Sequence, residues 1–486
     1  MPLMLPSVAL HTDLYQLTMA QGYWKLGLHN REAVFEIFYR ENPFQGGYAI
    51  ACGLDGVVEL IDSYAFSKDD LEYLADLKAQ DGSSLFQTDF LKTLQALRLT
   101  IDLDAIEEGT LVFPKEPLLR VQGPIWQCQL LETALLNLIN FPTLIATKAS
   151  RVCFAAAGDP VIEFGLRRAQ GPNGGLMASR AAFVGGVDFT SNVLAGKLFG
   201  IGVRGTHAHS WIMAFDSELE SFNAYADAMP NNCIFLVDTY KTLEGVQHAI
   251  EVGHKLKAQG HAFLGIRLDS GDMLNLSLAA RTLLDQAGFT DTFILASSDL
   301  DEYEIQRLKA GGAKIDMWGV GTRLVTGHEQ SALGGVYKLV SIQDEKGHWH
   351  HKYKLSDDPL KQTYPGIHAV RRYLGRNEID NSNTKNTTKN NSEFNSKYNS
   401  KSHNNNDNND YFVKDLIYSI DTVPPILENE ETVELLCPIF RKGKKIYNLP
   451  DVQSIQSRTY AQLEKLPKGL KELRPKTQYK VELFKK

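Results

Sequence analysis

The sequence predicts an α/β protein: an irregular β/α barrel with an N-terminal α+β domain and a small C-terminal segment. Three observations predict it. Between residues 150 and 341, short apolar, β-branched runs alternate with helix-like stretches, the pattern of parallel strands joined by crossover helices. At least six such runs are present, and each ends in polar or glycine-rich residues. The C-terminal strand ends of a β/α barrel form the face on which active sites are built. An open doubly wound sheet would gather the same residues at a crevice, but six runs with charged tips favour the barrel.

Each region supports this in turn. Residues 1–50 mix helical periodicity (Leu14, Leu17, Tyr23 and Trp24 among polar residues) with a strand-like AVFEIFYR. Residues 51–150 read as largely helical and include the long periodic stretch LLETALLNLINFPTLIATKASRV, so 1–150 is assigned to the α+β domain. The barrel, 151–376, carries the runs PVIEFGLRR, GIGVRGTHAHS, CIFLVDTY, AFLGIRLDSGD, FILASSDLDE and IDMWGVGTR. Stretches such as LEGVQHAIEVGHKLKAQG and MLNLSLAARTLLDQAG separate several of them. Residues 377–410 are built from Asn, Ser, Lys, Asp and Thr. Such a segment has too little to bury to offset its ordering entropy and is expected to be a disordered, tolerated insertion. Deleting 378–409 should leave activity and melting temperature nearly unchanged, which a paired assay and melt would check. Residues 411–486 read as a small returning α/β segment, expected to pack on the N-terminal domain, with a basic, solvated end.

Composition narrows the function classes. The 51 basic and 58 acidic side chains of the 486 residues leave a net charge of −7. That balance argues against a general nucleic-acid binder and against a polybasic membrane anchor. No apolar stretch approaches the ~18–20 residues of a membrane helix. The start, MPLMLPSVALHTDLYQ, has neither a charged region nor a long apolar one to read as a secretory signal. The five cysteines are far apart and form no metal or redox spacing, so reduced thiols in a cytoplasmic protein are expected.

The strand tips carry the chemistry. In IDMWGVGTR, Gly319 and Gly321 precede Thr322. Small residues after a strand let backbone N–H groups approach a phosphate, although a plain tight turn explains them equally. No Walker or GxGxxG pattern is present. AFLGIRLDSGD brings Arg267, Asp269, Ser270 and Asp272 to one strand end. Arginine clamps a carboxylate or phosphate in a fork, and two acids beside hydroxyls suit Mg²⁺ or a ribose diol. A helix cap would explain Asp269 or Ser270 but not the whole cluster.

His207 and His209 alternate on an extended segment, so only one faces a site. That one suits a nucleophile or general base, and Asp238 of CIFLVDTY is a candidate to hold its other nitrogen. His348, His350 and His351 are expected to be exposed. Phe164 with Arg167, Arg168 and Arg180 suits a flat anionic ligand, with surface arginines as the alternative. The residues alone indicate an enzyme acting on an anionic, phosphorylated substrate.

Taken in order, the motifs HTDLYQLTMAQGYW, FEIFYRENPFQGGYAIACGL, LLETALLNLINFPTLIATKASR, EFGLRRAQGPNGGLMASRAAFVGG, GTHAHSWIMAF, LVDTY, RLDSGD, GVGTRLVT, GGVYKLV and KLSDDPLKQTYPG resemble the nicotinate phosphoribosyltransferase family. The resemblance covers about residues 1–372 and, more loosely, 411–486. It implies formation of nicotinate mononucleotide and pyrophosphate from nicotinate and 5-phosphoribosyl-1-pyrophosphate, a salvage step of NAD biosynthesis, with Mg²⁺ and with ATP hydrolysed alongside. It implies a phosphohistidine at His209, oriented by Asp238. Tyr15 would stack on the pyridine across a homodimer interface, opposite Phe164. Arg167, Thr206 and Arg267 would line the pocket, Asp269 would contact the ribose, and Gly319, Gly321 and Thr322 would hold the 5-phosphate. The nicotinamide-using sister enzyme carries an Asp where this sequence aligns Ser191, and a neutral Ser does not repel a carboxylate. A nicotinamide-specific enzyme and a non-catalytic scaffold are the alternatives. A scaffold would be marked by loss of the histidine or acids, yet His209, Asp238 and Asp269 are all present.

Overall fold

A computed structural model describes residues 7–353, 364–376 and 410–484. The expected disordered insertion lies outside the described residues except for Asp410, which is buried at the start of strand Asp410–Ser419. Most of the KLSDDPLKQTYPG motif also falls outside.

The strand runs form a six-stranded parallel sheet. In spatial order it comprises Phe189–Thr190, Val161–Glu163, Met317–Val320, Phe293–Ser298, Gly265–Leu268 and Ile234–Leu236. Their side chains, among them Phe235, Ile266, Leu268, Ile294, Trp318 and Val320, are buried in the larger apolar core. Near-continuous apolar runs of this kind belong to a sheet covered on both faces. The crossover helices supply the cover. Thr242–Ala258, for example, turns Val246, Ala249, Val252 and Leu256 inward at helical spacing.

The ladder is not a closed barrel, which sharpens the expectation. The run GIGVRGTHAHS is too rich in glycine and polar residues to sustain a strand, and it makes only an isolated bridge between Val203 and Thr190. It nevertheless fills the gap between the two edge strands. Thr190 N–H donates to the Gly202 carbonyl at 3.1 Å and Arg204 N–H to the Thr190 carbonyl at 3.0 Å. On the far side, Leu236 N–H donates to His207 Nε2 at 3.3 Å. A side chain thus spans the last gap that a strand would fill in a regular barrel.

The remaining elements redistribute the expected units. A seven-stranded antiparallel sheet contains Glu32–Phe38, flanked by Leu119–Pro124 and Val336–Gln343. Residues 336–353 and 364–376, grouped above with the barrel, therefore leave the parallel sheet. Strand Val336–Gln343 joins the N-terminal sheet, and His368–Arg376 pairs with Asp410–Ser419 in a separate four-stranded sheet. The C-terminal segment touches both halves. Its strand Leu436–Arg441 extends the N-terminal sheet beside Asp102–Ile106. Its helix Val452–Lys465 lies on helix Gly171–Val184, where Gln456 Nε2 donates to the carbonyls of Phe183 and Val187 at 2.8 and 3.0 Å.

One buried pair in this frame makes stability depend on pH. His368 Nδ1 lies 2.8 Å from Glu36 Oε2, and both side chains are buried. Burial alone would lower the His368 pKa, but the Glu36 carboxylate and its hydrogen bond outweigh burial and leave it raised. A raised folded-state pKa contributes stability that is fully present below the unfolded value of about 6.5 and is lost as pH rises through the folded value. Urea unfolding across that range should show this loss, and Glu36→Gln should remove it.

Candidate active site

The C-terminal strand ends converge as the motifs require. Arg267, on strand Gly265–Leu268, is the hub. Its Nε donates to Ser297 Oγ at 2.7 Å, Nη1 to Thr206 Oγ1 at 3.1 Å and Nη2 to Asp269 Oδ1 at 2.6 Å. The guanidinium carbon also sits 5.5 Å from the centroid of the Phe164 ring, so the cation covers an aromatic face. Gly319 makes room for that ring: a Cβ there would come within 2.7 Å of Phe164 Cδ2. Gly319 is thus a packing glycine. Gly321 runs against the Phe164 carbonyl, and Thr322 opens the short helix Thr322–Val325 with its side chain exposed.

Two histidines on one segment have separate fates. His207 is buried in a box of Phe222, Tyr225 and Phe235, and burial pushes its pKa down to about 4. It is a neutral, structural imidazole. His209, the first residue of helix His209–Ile212, keeps 41% of its side chain exposed at the mouth. Its Nδ1 lies 2.9 Å from Thr239 Oγ1 and its Nε2 3.6 Å from Asp269 Oδ2.

Asp238 does not touch this imidazole, contrary to the expectation. Its Oδ2 accepts Asp269 N–H at 3.0 Å and Ser270 Oγ–H at 2.6 Å, so it braces the loop that carries Asp269. The residue beside it on the same strand tip, Thr239, meets His209 instead. Burial would raise the Asp269 pKa, but the Arg267 charge and hydrogen bonds from Ser297 and Arg267 hold it below the usual carboxylate value. Asp269 is therefore a fixed anion facing His209. Asp272 is separate from this cluster and caps helix Met273–Gln286.

A family model described as "Nicotinate phosphoribosyltransferase (NAPRTase) family" matches residues 161–399, and the family's N-terminal and C-terminal domain models match 10–140 and 407–486. The nicotinate phosphoribosyltransferase of Bacillus subtilis is 45% identical over 371 residues, covering 76% of this chain and 74% of that one. The Caenorhabditis elegans protein of the same name is 39% identical over 423 residues, covering 75% and 74%. The chain belongs to the nicotinate phosphoribosyltransferase family.

It is thus an enzyme of the phosphoribosyltransferase class. The crystal structure of human nicotinic acid phosphoribosyltransferase superposes with a TM-score of 0.79 at 29% identity over 97% of both chains. A nicotinate-nucleotide pyrophosphorylase from Pyrococcus furiosus shares the fold, with a TM-score of 0.69 at 19% identity, covering 96% of this chain and 98% of that one.

Around the strand-end mouth, the other expected residues divide. Arg167 and Arg168 are exposed on the turn Leu166–Arg168 beside Phe164. Ser191 is tied to the Glu163 carbonyl through its N–H at 2.9 Å and its hydroxyl at 3.2 Å. Arg180 is withdrawn from any ligand role. Its guanidinium is buried in ion pairs with Glu108 at 2.8 Å and Asp55 at 3.0 Å, which tie helix Gly171–Val184 to the N-terminal domain. Tyr15 is 46% exposed on helix Leu14–Lys25, which packs on helix Ile125–Leu130, and it interacts with Glu132. His348, His350 and His351 flank the turn at Asp344 on the surface.

Sequence reasoning missed Thr239, Ser297 and Arg323. Arg323 donates to Asp299 at 2.8 Å and to Asp301 at 2.5 Å, locking the turn after Gly321 to the neighbouring strand tip. All three lie inside the quoted runs, so adjacency to a chosen residue was the available signal. All five cysteines are unpaired, and no helix among the described residues is long and apolar enough to cross a membrane.

Proposed function

We propose that this enzyme joins nicotinate to 5-phosphoribosyl-1-pyrophosphate, giving nicotinate mononucleotide and pyrophosphate, and couples the step to ATP through a phosphohistidine at His209. The observation that carries the reading is His209 itself: a half-exposed imidazole at the strand-end mouth, held on one nitrogen by Thr239 and facing the fixed anion Asp269 on the other. Oriented imidazoles of this kind act as nucleophiles. In the first step a ring nitrogen of His209 takes the γ-phosphoryl group of ATP and ADP leaves. In the second, the pyridine nitrogen bonds to the anomeric carbon as its bond to pyrophosphate breaks. Hydrolysis of the phosphoimidazole returns His209 and phosphate, and drives the synthesis forward.

The Phe164 ring and the Arg267 guanidinium offer a stacking face and a positive charge to a flat carboxylate. Arg167 adds charge at the mouth, Thr206 lines it and Asp269 meets the ribose. Gly321 and Thr322 receive the 5-phosphate, with Gly319 shaping the wall behind Phe164. Tyr15 would stack on the pyridine from a second copy, which makes a homodimer with shared sites part of the proposal. A cytoplasmic location accords with five unpaired thiols.

The donor set fits Mg²⁺ carried mainly by phosphates. Among the described residues no group of three or more His, Cys, Asp or Glu side chains could hold a metal ion, while Asp238 Oδ1 is buried without a hydrogen-bond partner. Mg²⁺ typically takes one or two carboxylates plus substrate phosphate oxygens, so Asp238 and Asp269 are the residues that would hold it. When bound, it would neutralise charge on the leaving pyrophosphate.

Ser191, a neutral residue, leaves a substrate carboxylate unopposed. Turnover of nicotinate should therefore exceed that of nicotinamide by at least about tenfold in kcat/KM, the equivalent of one charge-assisted hydrogen bond. Parallel assays with the two bases test this, and preference for nicotinamide would overturn it.

A further inference from the structure

A cavity of about 270 Å³ lies away from the site described above. Asp159 and Asp188, which line it, come just before strands Val161–Glu163 and Phe189–Thr190. In a parallel sheet that places the cavity at the N-terminal ends of the strands, opposite His209, Arg267 and Asp269. Besides these strand starts, its walls come from three other parts of the chain: Tyr48, helix Glu132–Ala156 through Phe154, and the C-terminal segment through Tyr460 and Lys471. It exists only because the C-terminal segment docks where it does.

The lining has a definite chemistry. Tyr48, Phe154 and Tyr460 contribute aromatic surface. Two of their polar tips are already used: the Tyr48 hydroxyl lies 2.7 Å from Ser150 Oγ, and the Tyr460 hydroxyl donates to the Gly186 carbonyl at 2.8 Å. Both acids are engaged as well. Asp159 Oδ2 accepts from Lys309 at 2.6 Å and from Trp318 Nε1 at 3.0 Å, and Asp188 Oδ2 accepts Val161 N–H at 2.9 Å. Lys471 differs. It is half-buried, and among the described residues no carboxylate lies within ion-pair distance of it. Burial holds its ammonium below the usual lysine value, with Glu464 opposing only in part. A partly desolvated cation without a partner favours an incoming anion.

We propose that this cavity is a second small-molecule site, which takes a flat aromatic ring bearing one anionic group. The ring would lie against Tyr48, Phe154 and Tyr460, and the anion would pair with Lys471. Size and charge set the limits. The volume falls near the lower bound of ligand pockets, about 300–1,000 Å³, so it suits a single ring and not a dinucleotide. Two carboxylates in the lining disfavour a polyphosphate. The site is therefore selective against ATP and the phosphoribosyl donor, and it stands independently of the reaction proposed above.

Calorimetric titration with benzoate, benzamide and inorganic phosphate tests this, run on the full chain carrying Arg267→Ala so that the mouth, which itself suits a flat carboxylate, does not contribute. Benzoate should bind this variant, with benzamide and phosphate at least about tenfold weaker. Adding Lys471→Met or, separately, Phe154→Ala should weaken benzoate about tenfold or more, with melting curves confirming that the variants fold. Benzoate binding to Arg267→Ala that survives the addition of Lys471→Met, or that is absent into the millimolar range, would overturn the proposal.

Discussion

Replacing His209 by alanine is expected to abolish ATP-dependent stimulation of the reaction together with acid-labile phosphate labelling of the protein. Of the two histidines in GTHAHSW, His207 is enclosed by three aromatic rings and held neutral, whereas His209 is open to the mouth. Losing a covalent nucleophile removes the whole coupled route, so the expected loss in the ATP-stimulated rate is on the order of a thousandfold or more. Any residual rate would be the uncoupled reaction, which binding and orientation by Arg267 and Asp269 still assist. His207→Ala should behave differently, with a folding defect and labelling that persists in whatever protein folds. Persistent label in His209→Ala would place the acceptor elsewhere.

The largest expected loss of stability follows Glu302→Ala. Glu302 is fully buried, with Oε1 accepting Arg151 Nε at 2.9 Å and Oε2 2.7 Å from Lys148 Nζ. The lysine contact is an ion pair without hydrogen-bond alignment, since neither atom has a hydrogen-bond partner. The Phe44 ring covers both cations, at 4.9 Å from Lys148 and 5.6 Å from Arg151. Removing the carboxylate leaves two buried positive charges with no counter-ion. Breaking a buried pair in this way costs about 3–5 kcal/mol. The damage should also reach the active site, because Glu302 follows Asp301, which caps the same helix and holds Arg323. Chemical denaturation of the variant would measure the cost, and a loss below about 1 kcal/mol would contradict this account. Glu302→Gln, which keeps the hydrogen bond to Arg151, should lose less.

Much of this was legible in residue patterns because burial and periodicity are local. PVIEFGLRR, CIFLVDTY, AFLGIRLDSGD, FILASSDLDE and IDMWGVGTR each gave a strand of the parallel sheet, since a strand buried on both faces must be apolar throughout. The clustering of Arg267 with Asp269, and of Phe164 with Arg267, followed from strand tips sharing one end of that sheet. Partner choice across strands was not legible. It depends on register, and one residue of offset turned the imidazole contact from Asp238 to Thr239. Strand Phe189–Thr190 was missed because two residues carry no period. The role of Arg180 was misjudged because its partners, Glu108 and Asp55, lie in a distant part of the chain.

In the proposed reaction, one mouth both transfers the phosphoribosyl group and spends ATP. An assay with nicotinate, 5-phosphoribosyl-1-pyrophosphate and Mg²⁺, run with and without ATP, tests it most directly. Nicotinate mononucleotide formation should rise with ATP, with ADP released alongside. Product formation indifferent to ATP, or no product from nicotinate, would contradict it.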